Sequence, residues 1–194
     1  RSITGLMPVM YGAILVVVAL LALTFHATTP VWLNTYAPGA LAVVAIIRGA
    51  RWLRARSGVD DATPDAMLRA CKATIVLGTV LSFGFSLIGL FLMQYGEPAQ
   101  QTLAILLIWI LAIVSGFCLY SIPIAAIGVV VAATLPLSVG FALDDHPIIS
   151  NLAPVFLLVT ILVTYVIREI YSNFASVVRA SQVIAANEAR STHL

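Results

Sequence analysis

Charge is what this sequence has least of. Only 9% of its 194 residues are Asp, Glu, Lys or Arg, against 61% that are hydrophobic, and the mean hydropathy is +1.07. In ordinary soluble domains about a quarter of residues are charged, so that class is excluded and an integral membrane protein remains. The net charge of +2 singles out no partner, and nucleic acid is not expected to be one.

The placement of the few charges excludes more. No Asp, Glu, Lys, Arg or His falls in the middle of a long apolar stretch. Each would cost about 2.5–3.5 kcal/mol there on insertion scales and would mark an ion or proton path, so a proton-coupled transporter is disfavoured. No corresponding pair of broken helices suggests a transporter repeat. There is no His pair to clamp a haem, no constellation for hydrolysis or group transfer, and no phosphate-binding glycine loop. No catalytic, cofactor or metal-binding residue is therefore assigned. The only cysteines, Cys71 and Cys118, read as small buried residues in a reducing compartment rather than as a disulfide. The chain opens on Arg1, and the stretch 6–25 is too long for a signal-peptide core and lacks an A-x-A site, so we read the sequence as a piece of a larger protein at both ends.

Six apolar stretches remain, at residues 6–25, 31–47, 70–93, 102–120, 122–143 and 147–167. A helix needs about 20 such residues to cross a hydrocarbon core of about 30 Å. The second stretch is short and opens with Trp32, Asn34, Tyr36, Pro38 and Gly39, but the alternation of the flanks requires it. With six spans, Arg1, the group Arg48, Arg51, Arg54, Arg56, Arg69 and Lys72, and the group Arg168, Arg179 and Arg190 all face one compartment. The positive-inside rule makes it the cytoplasm, with both termini there. The opposite loops are short and carry His26, Glu97, Asp144, Asp145 and His146. Thr63, Pro64 and Asp65 predict a helix start. Tyr120 and Ser121 with Pro123 predict a tight hairpin between the fourth and fifth spans.

Three candidate sites follow from residue type. Pro123, Pro136, Pro147 and Pro154 predict bent outer halves of the last two spans around a small outward pocket, for which Trp32, Asn34, Tyr36, Trp109 and Asn151 are candidate lining. The plainer alternative is an interfacial aromatic belt with Asn151 bonded to a freed carbonyl. His26, Asp144, Asp145 and His146 could form a metal- or pH-sensing rim, or simply a solvated loop. Gly78, Ser82, Ser86 and Gly89 form a small-residue stripe suited to close helix packing, a dimer interface or a ligand groove.

Residues 168–194 predict a cytoplasmic helix continuous with the last span, with no Gly, Pro or turn cluster at the junction. Val163, Ile167, Ile170, Phe174, Val177, Ser181, Ile184 and Glu188 alternate four and three apart, the seam spacing of a coiled coil. A parallel homodimer through Ile167, Ile170, Phe174, Val177, Ser181 and Ile184 is expected. A helix lying on the inner membrane surface is the alternative, though three Arg and no Lys suit it poorly. The fold expected is thus an all-α membrane protein: a six-helix transmembrane bundle over residues 1–167 with a C-terminal coiled-coil signalling helix over 168–194.

Six compact spans with negligible outer loops ahead of a signalling helix resemble the membrane-associated sensor domains found in front of bacterial GGDEF and EAL domains. The closing segment, Ala185, Ala186, Asn187, Glu188, Ala189, Arg190, Ser191, Thr192, His193 and Leu194, is similar to the linker that precedes the GGDEF domain in many such proteins. The resemblance implies a missing output domain that makes or degrades cyclic di-GMP, with GTP and Mg²⁺ bound there and no cofactor in this segment. It implies partners in the bilayer, in a second copy and in an unknown small-molecule or membrane signal. The same segment resembles the run before the phosphoacceptor helix of sensor histidine kinases, although His193 stands where Phe is usual. A carrier or channel for a neutral solute is a third reading.

Overall fold

The computed structural model describes residues 3–55, 64–119, 122–144 and 147–191. Helix α1 covers Ile3–Phe25. A five-residue π-helical turn, Trp32–Tyr36, runs directly into α2, Ala37–Ala55. Then come α3 (Pro64–Met93), α4 (Pro98–Cys118), α5 (Pro123–Ala142), the single turn α6 (Pro147–Ser150) and α7 (Leu152–Ser191). Six helical segments are long and apolar enough to cross a membrane. No strand occurs among the described residues.

The π turn explains how the short second stretch spans. The Ala37 N–H reaches back five residues to the Trp32 carbonyl. In an α-helical turn the Pro38 ring would crowd the carbonyl of Asn34, four residues back. Widening the turn relieves that contact and keeps Trp32–Tyr36 helical, so the span becomes Trp32–Arg51, 20 residues.

The sixth stretch departs from expectation. It does not start as one helix at Pro147: the chain turns at Asn151, and the long helix begins at Leu152. Pro154 is then the third residue of α7, where a missing N–H has no intrahelical partner to lose, so it bends nothing. Pro136 alone among the four prolines named above lies in a helix interior. The predicted helix start at Pro64 is observed, with Thr63 outside the described residues. Pro123 opens α5 beside the predicted hairpin, where the Ile122 N–H bonds the Leu119 carbonyl at 2.8 Å. Tyr120 and Ser121 also lie outside the described residues.

Helix α5 sits at the centre and α7 at the edge. Half of the α5 span is buried inside the protein, whereas only 17% of the α7 span is. The main partner of α5 is α3, and small residues let the two backbones approach. A side chain at Gly140 would meet Leu90, and one at Gly128 would meet the Thr79 hydroxyl at 2.9 Å. The predicted small stripe belongs to this packing: Gly78 faces Val129, and Gly89 faces Ile108 and Leu137. Half-buried against α5, the hydroxyl of Thr160 lies 2.8 Å from Thr134 Oγ1 and 2.6 Å from the Phe156 carbonyl. The Thr134 hydroxyl donates to the Val130 carbonyl.

The corner between α3 and α4 is tied by side chains. Gln100 Oε1 accepts the Glu97 N–H at 2.9 Å in a capping box, and Gln100 Nε2 donates to the Thr24 carbonyl near the end of α1, also at 2.9 Å. Gln100→Ala removes both and is expected to cost about 1–2 kcal/mol. In a detergent melt of the purified protein this is a midpoint lowered by a few degrees; an unchanged midpoint would show that water replaces both bonds.

Candidate functional site

The α-helices α1 to α5 line a partly open cavity toward the end of the bundle where α2 ends and α3 begins, the end that carries Arg51, Arg54, Arg69 and Lys72. Its volume is about 40 Å³, room for about three waters at 10–15 Å³ each. Most of the wall is apolar, with Leu77, Leu81, Phe85 and Ile108 along its length. The charged group lies at one end, with Tyr11 and Thr74, and the hydroxyls of Ser82 and Ser115 are spaced along the rest of the wall. Arg48 of α2 donates from Nη2 to Thr74 Oγ1 on α3 at 3.1 Å, and Tyr11 of α1 lines the cavity beside it. The Thr74 hydroxyl donates to the Ala70 carbonyl at 2.9 Å, which leaves its lone pairs to accept from Arg48.

Local sequence sets up this constellation. Gly49 follows Arg48, and its bare Cα lets the Tyr11 ring lie against α2: a Cβ there would stand 3.3 Å from the ring. The phenol is thereby held beside the guanidinium. Arg51 and Arg54 are exposed, whereas Arg48 is half-buried and turned into the bundle. Among the described residues no carboxylate pairs with it. A half-buried arginine that among the described residues meets hydroxyls and no carboxylate is a cation available to an anion.

The residues expected to line an outward pocket have other places. Trp32 and Tyr36 are exposed at 56% and 70%. Asn34 is buried and donates from Nδ2 to the Ala22 carbonyl at 3.1 Å, near the end of α1, with its Oδ1 unbonded. Trp109 packs on Phe156 of α7, ring centroids 5.3 Å apart. Asn151 is exposed in the turn before α7. None of the five lines the cavity around Arg48. At the opposite end of the bundle His26 and Asp144 are exposed, and Asp145 and His146 lie outside the described residues. No group of three or more His, Cys, Asp or Glu that could hold a metal occurs among the described residues.

The seam of α7 divides in two. Ile167 is fully buried within its own bundle, its Cδ1 3.3 Å from where a Cβ on Gly116 would stand. Past it, Ile170, Phe174, Val177, Ser181 and Ile184 are exposed on the chain taken singly. Ile167 is thus the root of the helix in the bundle, because α4 offers only glycine opposite it. Glu188 and Arg190 lie on the helical part of the closing segment, and Thr192, His193 and Leu194 lie outside the described residues.

Sequence reasoning missed Arg48, Tyr11 and Thr74. Arg48, Arg51 and Arg54 repeat every three residues and read alike as flanking charges; tertiary packing alone turns the first inward.

Fold and composition together define a multi-pass α-helical membrane protein with an interior, partly polar cavity. No protein-family model, no curated protein and no solved structure matches the chain.

Proposed function

We propose that this chain is the sensory and dimerisation module of a bacterial inner-membrane protein with both termini cytoplasmic, and that α7 passes its state to a cytoplasmic diguanylate cyclase. The observation that carries this reading is α7 itself. It is one unbroken helix of 40 residues, rooted in the bundle at Ile167 and presenting an apolar seam beyond it. At 1.5 Å per residue the part after Ile167 extends roughly 35 Å, enough to hold a domain off the membrane. Two copies pairing along the seam would bury Ile170, Phe174, Val177 and Ile184 at coiled-coil spacing. A cyclase that joins two GTP, each with Mg²⁺, across a dimer interface responds to small rotations of such a pair. The closing segment's similarity to GGDEF linkers supports cyclic di-GMP as the output; an EAL phosphodiesterase domain would fit the same linkage.

The seam is tested by single cysteines in native membranes. Ile170→Cys, Phe174→Cys and Val177→Cys are expected to form oxidative dimers at least tenfold faster than Ser172→Cys, Ser176→Cys and Arg179→Cys. Equal rates at all six positions, or none, would refute a parallel coil. The output is read separately, as cyclic di-GMP formed from GTP by membranes carrying the whole protein; phased cross-links without that product would retain the dimer and reject the cyclase.

A further inference from the structure

The geometry points to a binding site for a single-chain carboxylate amphiphile, with its head on Arg48 and its chain among the apolar side chains of α3 and α4. Two properties of the cavity specify that ligand. First, its cationic chemistry is confined to one guanidinium, supplemented by the Tyr11 and Thr74 hydroxyls. A planar guanidinium matches a carboxylate by two parallel hydrogen bonds, and one positive charge balances one negative charge. A phosphate dianion would leave a charge uncompensated in a weakly polar surrounding. Second, the remainder of the wall is elongated and mostly apolar, with Ser82 and Ser115 its two hydroxyl residues. Thr74 and Phe85 both line it, and eleven residues along α3 correspond to roughly 16 Å at 1.5 Å per residue. That length matches a medium-length acyl chain lying along the helix, and past the Arg48 end no charged side chain faces it.

The resting volume holds waters rather than a chain, so occupation requires the lining to open. Met10 stands at the polar end of the wall, and an unbranched thioether is the side chain best able to swing aside. The plain alternative, an arginine reaching outward to lipid headgroups, fits Arg51 and Arg54, which are exposed. It does not fit Arg48, whose neighbours Tyr11 and Thr74 lie on α1 and α3 inside the bundle. The site stands on the cavity and not on the signalling reading, and the test below measures binding alone.

The test uses the full chain in lipid nanodiscs with tritiated dodecanoate as probe. Saturable binding near one per protomer is expected. Arg48→Gln should weaken it at least tenfold, and so should Ser82→Leu, which fills the apolar part of the cavity with Arg48 intact. On the parent protein, dodecanol should compete at least tenfold less well than unlabelled dodecanoate. Should Arg48→Gln fail to fold, Ser82→Leu and the competition series still decide. Absence of saturable binding, binding by Arg48→Gln within twofold of the parent, equal competition by dodecanol, or dodecyl phosphate outcompeting dodecanoate would each overturn the site.

Discussion

Gly116→Val is expected to lower the stability of the bundle by about 1–3 kcal/mol, the usual range for overpacking a filled core. A Cβ at Gly116 would lie 2.7 Å from Val130 Cγ2 and 3.3 Å from Ile167 Cδ1. Val130 is 1% exposed and sits in the middle of α5, and a β-branched side chain in a helix has one strongly preferred rotamer, so it cannot swing away. The clash with Val130 is relieved only by separating α4 from α5, whereas the milder approach to Ile167 can be relieved by a shift of α7, the least buried of the six spans. The measurement is a reversible denaturation in mixed micelles, paired with cysteine cross-linking of α7. An unchanged midpoint would mean that α4 and α5 are not in close contact here. Contacts such as Gly89 with Ile108 involve the flexible end of a longer side chain, and a small residue there is expected to be tolerated better.

The double substitution Phe174→Asp with Val177→Asp is expected to weaken dimerisation of the purified protein at least a hundredfold. Burial of each apolar side chain contributes about 1.5–3 kcal/mol, and a tenfold change in affinity corresponds to about 1.4 kcal/mol. Two like charges facing their counterparts in a parallel pair add repulsion. Because both positions lie beyond Ile167, the bundle itself should keep its melting behaviour. Analytical ultracentrifugation in detergent gives the association constant directly. A variant that stayed dimeric would place the interface in the membrane-spanning part instead, and α7 would lose its role as the coupling element.

Most of the architecture was legible because hydropathy and helix length act on whole segments. The six spans, the hairpin before Pro123 and the helix start at Pro64 all follow from such local signals. The fault lines were set by single contacts. The π turn depends on how Pro38 meets the carbonyl of Asn34, and the break at Asn151 separates two helices where hydropathy shows one stretch. Ile167 carried the right spacing for a seam, yet spacing is silent on whether the partner is another copy or a glycine on α4. The cavity was the least legible feature. Its cation is one of three arginines with equal spacing, and its walls come from five helices whose juxtaposition no single segment encodes.

The shallow seating of α7 makes bilayer thickness a variable of this protein. The helix runs on past Arg168 and Glu169, so its uncharged part, residues 152–167, has 16 residues, roughly 24 Å at 1.5 Å per residue, against a hydrocarbon core of about 30 Å. A span shorter than its slab thins the bilayer or slides to bring its flanking charges to the interface. With 17% of the span held by protein, Phe156, Thr160 and Ile167 are anchors to the bundle, and lipid sets the rest of its inclination. Seam cross-links measured in short-chain and long-chain bilayers are therefore expected to differ in register, and identical patterns would mean that these anchors alone fix the depth of α7.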